Sequence, residues 1–236
     1  AHILIRDAAY GAIPKTDRAA FHERFADFIE LEAKELSGEY EEIVGYHLDQ
    51  ARRLLLELGP ASERTAQLGA RAAAVLGSAG RRAFGRGDMS AAVKLLHRAA
   101  ALLPEHDPER AELLPQVAFA LFETGDFTRL RDVVAETRET AAASGDPSLE
   151  AYAVILGLWI DVSWAPEGWA DAAQREAATA ILAFEAAHDD RGLAKAWALL
   201  GLVYVDRAKF ARAEQAWEKA AEHAHRAGDR RDELRR

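Results

Sequence analysis

Apolar residues recur along this chain at intervals of three and four between short interruptions of Gly, Pro and Asp, and β-branched residues nowhere alternate with polar ones over the length of a strand. The spacing predicts helices over 2–12, 16–36, 40–58, 62–86, 89–103, 107–124, 127–144, 147–163, 167–187, 191–207 and 210–227, with a further one beginning at 229. Four interruptions share one form: Gly87-Asp88, Gly125-Asp126, Gly145-Asp146 and Gly228-Asp229. In each, a glycine accepts left-handed backbone and the aspartate after it can cap the next helix. One punctuation mark used four times implies an internal repeat.

Residues 194 to 227 show its content most fully. Trp197, Leu200, Gly201 and Tyr204 fall at i, i+3, i+4 and i+7, one face of a helix, and Ala213, Trp217 and Ala220 follow on the next. These residues at these offsets resemble the tetratricopeptide (TPR) unit, a helix–turn–helix of about 34 residues. Gly201 would remove the Cβ where the second helix approaches closely. Residues 73 to 106 fit the same pattern with Leu76, Gly80, Gly87, Ala92, Leu96, Ala99 and a closing Pro104. Residues 111 to 144 are degenerate, keeping Leu114, Gly125, Phe127 and Val134 but placing Leu130 and Thr137 where Ala is usual. Residues 147 to 190 are degenerate too: Leu156-Gly157 and Ile160 are in phase, but the stretch from Ser163 to Trp169 widens the turn. The resemblance implies an all-α fold, a right-handed superhelix (α-solenoid) of TPR-like repeats behind a short helical N-terminal segment.

Composition agrees and adds exclusions. At 50% hydrophobic and 29% charged, the 236 residues can bury a core, and alanine at about a fifth of positions favours helix. A net charge of −9 disfavours a role in neutralising phosphates. Cysteine is absent, so disulfides, thiolate catalysis and cysteine-ligated metal are excluded, which fits a cytoplasmic protein. No apolar run is long enough for a membrane span. The chain opens mid-pattern without a signal peptide, as an excised fragment would.

Two segments carry a narrower resemblance. His2 to Tyr10 (His-Ile-Leu-Ile-Arg-Asp-Ala-Ala-Tyr) with Arg18 to Phe25 is similar to the helices closing the winged-helix module of bacterial STAND-type signalling ATPases. Glu42 to Ala51, centred on Tyr46-His47, resembles the helix that opens the repeat superhelix in such proteins, which include LuxR-type and maltose-activator-like regulators and ATPases linked to nucleotidyl cyclases. That resemblance implies two parts, residues 1–37 as the winged-helix remnant and 38–236 as the repeat domain. No G-x-x-x-x-G-K-[ST] is present, so any nucleotide site would lie elsewhere in the protein.

Catalytic chemistry is not expected, and neither is a cofactor or a resident metal. There is no H-E-x-x-H, G-x-S-x-G or G-x-G-x-x-G. His223 and His225, two apart, point to different helix faces and read as solvated; His47 and His97 read as half-buried packing residues. The carboxylates of Glu41-Glu42 and Asp189-Asp190 read as solvated helix starts, and Arg81-Arg82 and Arg235-Arg236 as solvated faces. Trp159, Trp164 and Trp169 would make either an exposed aromatic pad or packing, with Trp159 between repeats and the other two clamping the widened turn. The second is favoured, because the long turn needs stabilisation.

In a solenoid of two-helix units the first helices line a groove. The repeat phase places Arg81, Phe84, Phe119, Phe122, Val154, Leu158, Leu202 and Val205 there. That set is apolar and lacks the Lys and Asn pattern by which some TPR proteins hold a C-terminal carboxylate; it suits the apolar side of a partner helix. The expected function is a non-catalytic interaction and regulatory module of a larger signalling or transcription-regulatory protein, with a protein or peptide, or upstream domains of the same protein, as partner. A small-molecule-sensing domain is the alternative, and a DNA-binding fragment is the weakest.

Overall fold

The computed structural model describes residues 8–32, 40–164 and 168–233, with backbone alone at 163, 164 and 228–233. After a helical turn at 8–12, the described residues form α1 (Lys15–Glu32), α2 (Glu41–Leu56), α3 (Glu63–Gly85), α4 (Met89–Leu102), α5 (Pro108–Thr124), α6 (Phe127–Ser144), α7 (Pro147–Trp164), α8 (Trp169–Ala186), α9 (Asp190–Asp206) and α10 (Phe210–Glu233). No strand occurs among them, and no described helix is long and apolar enough to cross a membrane. The fold is all-α, with the organisation of a helical repeat: successive helices pack on one another from α1 to α4 and from α6 to α10. The chain divides into two compact units, residues 1–120 and 121–236, and the division falls inside α5. The expected boundary at 37/38 lies outside the described residues, as do Arg235 and Arg236.

In the first unit α1 packs on α2, α2 on α3 and α3 on α4. Ser62 opens α3 with a capping box, its hydroxyl accepting the Thr65 N–H while the Thr65 hydroxyl accepts the Ser62 N–H. Glycines set the crossings. A Cβ on Gly45 would sit 2.5 Å from Leu76 Cγ, and one on Gly80 2.7 Å from Leu96 Cγ. Asp49 is 1% exposed, and a carboxylate there must be paired. Arg98 of α4 approaches it at 3.0 Å and Arg53 at 3.2 Å.

Helix α1 is built the other way out. Only Ala19 and Ala26 are buried. Three of its carboxylates form ion pairs with α3, Glu23 with Arg64, and Asp27 and Glu30 with Arg71 at 2.7 and 2.8 Å. Lys15 adds a pair to Glu57. Phe21, Phe25, Phe28 and Leu31, at i, i+4, i+7 and i+10, are exposed. Tyr46 and Ile43 of α2 are exposed as well. Between α1 and α2, His22 Nδ1 lies 2.7 Å from His47 Nδ1 and His22 Nε2 lies 2.7 Å from the Tyr10 hydroxyl. Phe25 and Tyr46 meet His47 edge-on, and the Arg18 and Arg98 guanidiniums lie over the Tyr10 and Tyr46 rings. Burial, then His47 and Arg18, hold the His22 imidazolium below its ordinary 6.5. Burial lowers His47 in the same way.

In the second unit α6 packs on α7, α7 on α8 and α9, α8 on α9, and α9 on α10. The expected aspartate caps are present: Asp126 accepts from the Arg129 N–H and Asp146 from the Ser148 N–H, as Asp88 does from the Ala91 N–H in the first unit. The core gathers Ile155, Phe184, Leu199, Leu200 and Val203, with Trp159, Trp169, Trp197 and Tyr204 packed against it. Ala213 and Ala220 are buried, Lys219 lies over the Trp197 ring at 4.0 Å, and a Cβ on Gly201 would meet the Trp217 indole. The degenerate positions pack too. Leu130 and Thr137 are buried, the threonine because its hydroxyl donates to the Val133 carbonyl at 2.7 Å.

Several expectations are corrected. Gly228-Asp229 is not a break, since α10 runs through it to Glu233. A glycine permits a reversal without compelling one, and the sequence after it carries Leu234 as its only large apolar residue with which to pack back. Conversely, His188 and Ala208 take left-handed backbone, each at φ 53°, where the sequence shows no glycine. His97 is exposed rather than half-buried, because it follows the buried Leu96 by one position and so points away from the core. His223 is not solvated: its Nδ1 lies 2.8 Å from Asp190, which Arg226 also reaches. Glu41, Glu42 and Asp189 stand at helix starts as expected, but Arg82 is not a bare solvated face and the carboxylates have partners. Arg82 pairs with Glu41, Lys94 pairs with Glu42, and Asp189 caps α9.

Two outcomes follow. Because both imidazoles bind protons more weakly folded than unfolded, their contribution to stability is complete above about 6.5 and declines as pH falls below it. Denaturant melts from pH 8 to 5 should show that decline, and His47→Gln should flatten it. Gly201→Trp should destabilise by about 2 kcal/mol or more in the same assay, since the indole of Trp217 occupies the space; an unchanged midpoint would refute close packing there.

Candidate functional site

The sequence-derived groove set divides between the two units. Arg81, Phe84 and Phe119 fall in the first. Arg81 and Phe84 are half-buried, whereas Phe119, at 7% exposure, is an interior residue. Phe122, Val154, Leu158, Leu202 and Val205 fall in the second unit. There the first four are half-buried and Val205 is 39% exposed. The candidate site is therefore the surface formed in the second unit by the end of α5 together with α7 and α9.

Helical spacing positions these side chains. Val154 and Leu158 are one turn apart on α7, with Ile155 and Leu156 turned into the core beside them. On α9 the sequence Lys195, Ala198, Leu202, Val205 runs at i, i+3, i+7 and i+10, while Leu199, Leu200 and Val203 face inward. Phe122 meets Trp159 of α7 edge-on at 5.3 Å and Phe127 of α6 at 6.1 Å, so the end of α5 is fastened to the rest of the unit by aromatic contact. Trp159 and Trp169 are thus half-buried packing residues, as favoured; the Trp164 side chain lies outside the described residues.

Polar groups that sequence reasoning missed sit among these apolar ones. Lys195 is half-buried; desolvation lowers its ammonium below the ordinary lysine range, and the Glu123 carboxylate at the end of α5 partly restores it. Its position seven residues before Leu202 was the available signal. Tyr152 of α7 hydrogen-bonds Asp189, the cap of α9. Burial first, and then that carboxylate, push its phenol well above the usual value. The bond ties the start of α9 to α7, and Phe184 packs on the Tyr152 ring at 4.8 Å. Among the described residues no group of three or more His, Cys, Asp or Glu is placed to hold a metal ion. The surface offers hydrophobic contact with a few fixed charges.

No protein-family model matches the chain, and no curated protein does. Among solved structures, the crystal structure of BtubC (BKLC) from P. vanneervenii is similar over 92% of this chain and 93% of its own, at 15% identity and a TM-score of 0.48. The all-α assignment rests on the helices, caps and packing described above.

Glu123→Gln should lower the Lys195 ammonium further, because it removes the charge that supports protonation. Carbon-detected NMR titration of the lysine side chains would register the change; an unmoved Lys195 would separate the two groups.

Proposed function

We propose that this chain is a non-catalytic interaction module of the helical-repeat class, which takes up a protein or peptide segment on the α5–α7–α9 surface and regulates effector domains lying outside the sequence. The observation that carries this reading is the row Val154, Leu158, Leu202 and Val205, left partly open to solvent directly above a packed core. Such a row gains by covering, at roughly 25 cal/mol per Å² of apolar area before ordering costs are subtracted. The similarity of residues 2–10, 18–25 and 42–51 to the STAND-type ATPases supports a regulatory setting, and the uncovered Phe21, Phe25 and Phe28 offer a second surface on which such a protein's other domains would rest.

Peptide display followed by hydrogen exchange tests the reading. Selected peptides should protect α7 and α9, and Leu202→Arg, which adds charge at a half-buried position without opening the core, should weaken binding about tenfold or more. Peptides that protect only other helices, or bind the variant equally, would overturn it.

A further inference from the structure

Granted that this surface docks a partner, we infer that the partner is a cationic amphipathic helix, with apolar residues on one side and Lys or Arg along the flank that meets the C-terminal ends of α5, α7 and α9. Each of these helices carries an exposed carboxylate in its last turn: Glu123, Asp161 and Asp206. Asp161 lies one turn beyond Leu158 at i+3 and Asp206 one turn beyond Leu202 at i+4, each on the face of its groove residue, and Glu123 directly follows the half-buried Phe122 at the end of α5. The register of α7 and α9 thus sets an acid beside an apolar residue twice, and Glu123, which meets Lys195 of α9, adds a third carboxylate at the end of α5.

The placement works against the fold. The C-terminal end of a helix carries partial negative charge and favours a cation, and none of the three helices has a basic residue in its last turn. Asp161 and Asp206 make no hydrogen bond or ion pair among the described residues. Arg207, next along the chain, is already held by Asp171 and Gln174 of α8. Lys195 is supported by Glu123. Asp161 and Asp206, without an ion pair among the described residues and aligned along an apolar row, together with Glu123 complement a basic edge on whatever covers that row.

Two fluorescent helical peptides of one apolar face, one flanked by lysines and the other by glutamates, provide the test by anisotropy at low and high salt. The lysine peptide should bind about tenfold tighter at low salt, the sum of three modest surface pairs, and lose most of that advantage at high salt. In Glu123→Gln/Asp161→Asn/Asp206→Asn the preference should fall to about twofold or less. In Glu139→Gln/Glu176→Gln/Glu185→Gln, which removes exposed charge from α6 and α8, it should persist. Equal binding of both peptides, with Leu202→Arg weakening both, would leave the docking surface standing and overturn its cationic specificity. Preference lost equally in the second triple variant would trace it to bulk charge and overturn it too. If neither peptide binds, both the surface and its specificity fall.

Discussion

A bulky side chain resting where a neighbouring helix has no Cβ is the contact on which this fold depends. Leu76 rests on Gly45, Leu96 on Gly80, Phe184 on Gly192 and Trp217 on Gly201. Without it the helices would stand further apart, and the alanines that fill the crossings, Ala92, Ala99, Ala213 and Ala220 among them, would be too short to close the gap. No two-helix unit has enough apolar surface to bury alone, so each must find its neighbour at this short distance. The alanine-rich composition is the consequence of a stack built on close approach.

What close packing leaves over is polar and specific. Asp49 is a carboxylate inside the first unit, and Arg98 ties it to α4 at a distance in sequence that no local pattern reveals. Tyr152 and Asp189 do the same between α7 and α9. Such bonds add little net stability but penalise misregister, since a slipped helix would strand a buried polar group. In the second unit, the rigid backdrop they create is what holds the Val154, Leu158, Leu202 and Val205 row in fixed order.

The sequence made the helices legible because their period and the Gly-Asp marks are local properties, and the Trp197 to Ala220 signature was legible because its residues are few and large. Phe119 was misplaced because phase locates a face of a helix without saying whether another element covers it. Lys195 and Glu123 were missed for a different reason: they are far apart in sequence and their meeting is a product of the stack. Gly228 and Ala208 failed in opposite senses, the first a glycine without a turn, the second a turn without a glycine. In both, a local preference worth about 1 kcal/mol did not decide: α10 continues through Gly228, and the turn between α9 and α10 imposes left-handed backbone on Ala208.

Helix α1 differs from the rest in what holds it. Three of its carboxylates meet Arg64 and Arg71 of α3, while its phenylalanines face solvent. Attraction between partly exposed charges weakens as salt screens it, whereas burial of leucine over glycine does not. Ionic strength therefore bears directly on how α1 is held, and less on the leucine-over-glycine contacts of α2 with α3 and α3 with α4. A change in the ionic surroundings can loosen α1 while leaving the packing of α2, α3 and α4 beneath it as it was.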